Sequence, residues 1–253
     1  MTIVLLTALG VGAATGVGAL LGFLFKHPSQ KSSDITLSFA AGVMLAAATV
    51  GLILPSLTYG EGKGAILITI LGVLAGAVCL NLIDRLVPHL HKLSGPDTEH
   101  HPASGDRINK SWLFVIAIAI HNLPEGIAAG VSFGSGNTVQ ALAVAGGIAL
   151  QNIPEGMVII APLLSTGMSR RRTLAIALLT GVIEIVGTLI GYFAVCLSTA
   201  LLPFALAFAG GTMLYVISDE MIPETHAHGN EREATYAHLI GFCLMLALNF
   251  LLG

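Results

Sequence analysis

The chain has 253 residues, 55% of them hydrophobic and 10% charged, with a formal net charge of −3 and a mean hydropathy of +0.86. Soluble domains carry about 25% charged residues, so this composition points to a polytopic membrane protein. No basic tract interleaved with aromatics occurs, which excludes nucleic acid as a partner, and Cys79, Cys196 and Cys243 lie in apolar runs that read as core rather than as a disulfide or thiolate site.

Apolar runs long enough to cross a bilayer lie at roughly 2–25, 35–59, 64–87, 111–134, 138–164, 173–197, 199–221 and 234–252. The expected fold is therefore all-α, a single transmembrane domain of eight helices over residues 1–253. The first run lacks a basic n-region and its first lysine, Lys26, comes after it, so it reads as a retained helix and not as a signal peptide. Gly12/Gly16, Gly18/Gly22, Gly72/Gly76 and Gly187/Gly191 are small-xxx-small pairs that let helices approach closely.

Connections between the runs are short, and GSGNT between the fourth and fifth carries no charge. The exception is the polar loop at about 88–110, PHLHKLSGPDTEHHPASGDRINK, whose His89, His91, His100 and His101 could catch a metal ion or simply be solvated. The odd-numbered connections with their flanks hold ten of the eleven Lys and Arg residues, and the even-numbered ones hold only Lys63. The positive-inside rule then places the loop at 88–110 in the cytoplasm and both termini outside.

Three acidic residues fall near the middle of predicted spans: Glu125, Glu155 and Glu184. A carboxylate at the bilayer centre costs about 2.5–3.5 kcal/mol on insertion scales and usually faces a cavity, a partner or an ion path. No Lys or Arg lies at that depth, which leaves protonation or a bound cation. In IAIAIHNLPEGIAAG, residues 116–130, His121 and Asn122 stand four and three residues before Glu125 and can share its helix face. GGIALQNIPEGMVII, residues 146–160, repeats the spacing with Gln151, Asn152 and Glu155. Imidazole nitrogen with carboxylate oxygen suits Zn²⁺, Fe²⁺ or Mn²⁺, and the lack of thiolates disfavours copper(I).

Each repeat also carries a proline. Pro124 and Pro154 cannot donate to the carbonyls of Ile120 and Leu150, so both helices are expected to kink there, with Gly126 and Gly156 permitting close approach beside the kink. Interrupted helices in paired halves mark a midplane transporter site. After the seventh run, SDEMIPETHAH (residues 218–228) offers Asp219, Glu220, Glu224, His226 and His228, either as a low-affinity metal patch near the exit or as a solvated helix end.

HNLPEG, QNIPEG, FAAGVMLAAA in the second run and SDEMIPE near the end of the seventh together resemble the ZIP (Zrt-, Irt-like protein) family of divalent metal transporters, in its bacterial GufA-like branch. The resemblance covers essentially the whole chain, and the two PEG motifs carry most of its specificity. It implies eight helices with both termini outside, and a central metal site between the fourth and fifth helices. Carried over, His121, Glu125, Gln151 and Glu155 would make the principal metal position. Asn122, Asn152 and Glu184, bridged by Glu125 and Glu155, would make a second. Many members place His where this chain has Gln151, and some place Asp where it has Asn152; both replacements soften the site.

The expectation is thus a transporter of divalent metal, zinc first with Cd²⁺, Fe²⁺ and Mn²⁺ as alternatives, moving it across the inner membrane into the cytoplasm. The resemblance implies an elevator-like motion of a four-helix bundle containing helices four and five, needs no catalytic cofactor, and fits a homodimer in the lipid bilayer. A membrane-embedded metalloenzyme, with a Glu as base on metal-bound water, is the rival class. Against it, H-E-x-x-H is absent and no nucleophile accompanies the cluster.

Overall fold

The computed structural model describes residues 1–24, 29–59, 62–86, 119–165 and 167–252. The histidines of the predicted loop at 88–110 and the first part of the fourth predicted span lie outside the described residues. Among the described residues there are helices and turns but no strands, and seven helices are long and apolar enough to cross a membrane. In chain order these are α1 (Thr2–Leu24), α2 (Gln30–Tyr59), α3 (Gly64–Leu86), α5 (Thr138–Ser165), α6 (Arg170–Leu197), α7 (Thr199–Thr225) and α8 (Glu231–Leu252). Between α3 and α5, residues 119–132 form helix α4.

The helix ends follow local chemistry. Ser29 caps α2 by accepting from the Ser32 amide at 3.1 Å. Gly136, at φ 74°, turns the chain out of the Phe133–Ser135 turn, and the Asn137 side chain then caps α5 through the amides of Val139 and Gln140. The uncharged GSGNT connection is therefore a reversal built for tightness. The helices α2, α6 and α8 begin three to five residues before the apolar runs that announced them. Their first turns, QKSSD, RRR and ERE, are polar helix that hydropathy does not register.

Packing divides the helices into two groups. One gathers α1 against α5 and α6, with α4 seated on α6. The other pairs α3 with α7 and α8 with α2. Between the groups α2 packs on α5, and Ala128, Ala129 and Val131 of α4 share a buried core with residues of α2 and α7. Lipid gives helices no hydrophobic reason to associate, so close contact must come from small residues. A Cβ on Gly126 or Gly130 of α4 would collide with the carbonyls of Glu184 and Thr188 on α6, and one on Gly187 or Gly191 of α6 would collide with those of Leu123 and Ile127 on α4. Gly12 and Gly18 press α1 in the same way against Gly181 of α6 and Ile153 of α5. Each predicted glycine pair thus lies in a helix seam.

Two helices of the second group carry wide turns, Ala47–Ile53 in α2 and Ile217–Met221 in α7, where the hydrogen bonds run in the π pattern. Such turns recur at functional sites because they redirect side chains within a continuous helix. Helix α5 runs through Pro154 and is interrupted five residues later, at Ile159, whose amide reaches the Glu155 carbonyl at 3.3 Å. The cysteines correct an expectation: Cys196 and Cys243 face outward and only Cys79 is partly buried. A small, soft side chain is as well solvated by lipid as by protein, so an apolar run does not reveal which way its cysteine points.

Candidate cation site

Four helices converge on one polar cluster inside the first group. Helix α4 contributes His121, Asn122 and Glu125, α5 contributes Gln151, Asn152 and Glu155, and α6 contributes Glu184. The fourth contributor is α1, through Thr15 and the carbonyl of Val11. Asn122, Glu125, Gln151, Asn152 and Glu184 are buried, while His121 and Glu155 are partly exposed.

The hydrogen bonds sort these groups into two halves. Glu184 accepts from Thr15 Oγ1 (2.7 Å) and Asn122 Nδ2 (2.5 Å) on Oε1, and from Asn152 Nδ2 (2.6 Å) on Oε2. Both of its oxygens are therefore engaged by protein donors. The other half is open. Gln151 Nε2 donates to Glu125 Oε1 at 2.9 Å, and Glu125 Oε2, Gln151 Oε1, Asn152 Oδ1 and Glu155 Oε1 have no partner although all are buried. Among the described residues seven buried side-chain polar atoms lack partners, and these four oxygens of one cluster are the majority. A buried acceptor left unsatisfied costs about 1–3 kcal/mol, and native structures keep such groups where a ligand, water or ion completes them. Four oxygens with no facing donor are the chemistry of a cation site.

His121 is drawn elsewhere. Its Nε2 lies 2.8 and 2.7 Å from the two carboxylate oxygens of Glu220, in the wide turn of α7. The contact joins the two helix groups. Among the described residues no three His, Cys, Asp or Glu side chains are gathered closely enough to hold a metal ion alone. The open half presents amide oxygens as well as carboxylate oxygens.

The two PEG glycines have a steric task. A Cβ on Gly126 would strike the Glu184 carbonyl, and one on Gly156 would strike the Thr15 carbonyl. Each glycine thus lets its helix touch the backbone of one member of the Thr15–Glu184 hydrogen bond.

The residues at 218–228 do not form one patch. Glu220 turns inward to His121, while His226 bonds Thr225, Thr235 and the Ile222 carbonyl. His228 lies 3.1 Å from Asp34 Oδ1, and Asn230 donates to Asp34 Oδ2 at 2.8 Å, which ties the start of α2 to that of α8. Thr15 escaped the reading of the sequence altogether, although a lone hydroxyl inside the glycine-rich GAATGVG run of α1 was its signal.

A family model described as ZIP Zinc transporter matches residues 89–249. "Zinc transporter GufA" of Myxococcus xanthus is 43% identical over 98% of both chains. "Zinc transporter ZIPB" of Bordetella bronchiseptica is 37% identical over 95% of this chain and 78% of its own. "Zinc transporter ZupT" of Chlorobaculum parvum is 32% identical over 95% of this chain and 94% of its own.

Proposed function

The chain belongs to the ZIP zinc transporter family, and on that premise we propose that it carries zinc through the membrane by way of the cluster between α4 and α5. The observation that carries this reading is the set of unpartnered buried oxygens on Glu125, Gln151, Asn152 and Glu155. A dication arriving there loses water but gains two carboxylates and two amide oxygens, and His121 adds its imidazole once it leaves Glu220. Amide oxygens are weaker ligands than imidazole or carboxylate, which favours release by a carrier. The donor set also admits Cd²⁺, Fe²⁺ and Mn²⁺. Asn122, Asn152 and Glu184 form a second position, which a cation reaches only by displacing the amide donors from Glu184.

The alternating-access step is a movement of α1, α4, α5 and α6 against α2, α3, α7 and α8, in the manner of an elevator. Two features support it: the helices pack as two groups, and cluster residues of the first group meet the second through the His121–Glu220 contact. The basic connections support an eight-span topology with both termini outside; on the family's reading, metal moves from outside to the cytoplasm across a bacterial inner membrane. Initial rates of Zn²⁺ uptake into proteoliposomes test the reading. Wild-type protein should accumulate zinc, and Glu125→Ala/Glu155→Ala should fold yet accumulate none. Uptake by the double variant at the wild-type rate would contradict the site.

A further inference from the structure

The cation cluster has a component on α1 that no motif marks. Thr15 and Val11 stand one turn apart on the helix face that meets α5 and α6. The Thr15 hydroxyl donates to Glu184 Oε1 at 2.7 Å. The Val11 carbonyl accepts from Asn152 Nδ2 at 3.4 Å, and the same amide nitrogen donates to Glu184 Oε2 at 2.6 Å. A primary amide has two N–H groups and one oxygen. With the nitrogen committed to α1 and Glu184, Asn152 must turn its oxygen away from both, and that Oδ1 is one of the four unpartnered oxygens. Asn122 is fixed by the same carboxylate, through its Nδ2 at 2.5 Å from Oε1. Glu184 is therefore a hub that orients two amides, and Thr15 holds the hub.

We infer that Thr15 is a positioning residue of the cation site: its hydroxyl anchors Glu184, which turns the amides of Asn122 and Asn152 so that Asn152 offers oxygen, and not nitrogen, to the transported cation. The inference rests on the cluster being the cargo site. Thr15 is 3% exposed and Glu184 0%, so water does not replace the bond. The reach is fixed by the backbone, because Gly156 lets α5 touch the Thr15 carbonyl while Gly12 holds α1 on α6. A hydroxyl donating to a buried carboxylate is among the stronger side-chain hydrogen bonds. Without it, Glu184 is held only by the two amides it orients, and its carboxylate and their planes can shift together.

The test uses the full chain in proteoliposomes, with ZnCl₂ as the probe and initial rates fitted for KM and Vmax. Thr15→Val keeps the shape and removes the donor, whereas Thr15→Ser keeps the donor and removes a methyl group. The expected result is a KM raised about tenfold in Thr15→Val with Vmax per transporter little changed, and a KM near wild type in Thr15→Ser. A wild-type KM in Thr15→Val, or equal impairment in Thr15→Ser, would overturn the inference. If Thr15→Val does not fold, Thr15→Ala must show the same rise in KM. Loss of fold in both, with Thr15→Ser intact, would assign the hydroxyl to folding and overturn it equally. Glu125→Ala/Glu155→Ala in the same assay keeps the two readings apart: zinc uptake by that variant at the wild-type rate contradicts the cargo site itself, whatever Thr15 does.

Discussion

Thr15 and Glu184, 169 residues apart in the chain, meet through a 2.7 Å hydrogen bond, and each of the two PEG glycines packs against the backbone carbonyl of one of them. The repeated N-x-P-E-G motif thus has a second task beside supplying carboxylates. Its glycines bring α4 onto α6 and α5 onto α1, so that four helices close around one layer of polar groups.

That relationship predicts a steric signature. Gly126→Ala and Gly156→Ala should each destabilise the protein by about 1–3 kcal/mol, the usual cost of overpacking a tight contact. Gly146→Ala, also on α5 but with open space where its Cβ would go, should be neutral. Thermal unfolding in detergent, followed for all three, checks this. Equal melting temperatures would show that the close approach is not needed.

The His121–Glu220 pair predicts a trade between binding and release. Glu220 holds the imidazole nitrogen that the cation site would use, so it competes with the metal for His121. Glu220→Gln weakens that competitor, and zinc affinity by calorimetry should rise several-fold while the maximal uptake rate falls. Unchanged affinity would mean that His121 does not leave Glu220 to bind metal.

Proton competition sets the pH dependence. Carboxylates and imidazole bind metal only when deprotonated, so zinc affinity should fall as pH drops from 7 to 5, by about tenfold per pH unit for each proton displaced. Calorimetry at three pH values, in two buffers of different ionisation enthalpy, gives the number of protons released. A flat profile would imply a site made of amide oxygens alone.

Much of this was legible in the sequence because the signals were local. Intramembrane acids stand out against apolar runs, Gln151 stands four residues before Glu155 in the second repeat, and the glycine pairs all lie in helix seams. What was missed depends on distant contacts. Nothing within reach of Thr15 along α1 announces Glu184, and Glu220 stands 99 residues from the histidine it holds. The 218–228 segment left a metal patch and a solvated helix end both open because its acids and histidines are adjacent in sequence. The wide turn at Ile217–Met221 and the following helical turn send Glu220, His226 and His228 to three different neighbours. The Cys196 and Cys243 side chains show the same limit, since an apolar run does not state which face meets lipid.

The transported cation is expected to sit on the unpartnered oxygens of α4 and α5. The most direct measurement is anomalous diffraction at the zinc absorption edge from crystals grown with Zn²⁺. The expected result is a peak within coordination distance of Glu125 Oε2, Gln151 Oε1, Asn152 Oδ1 and Glu155 Oε1. A fully occupied peak only elsewhere, such as beside Asp34 and His228, with none in the cluster, would contradict it.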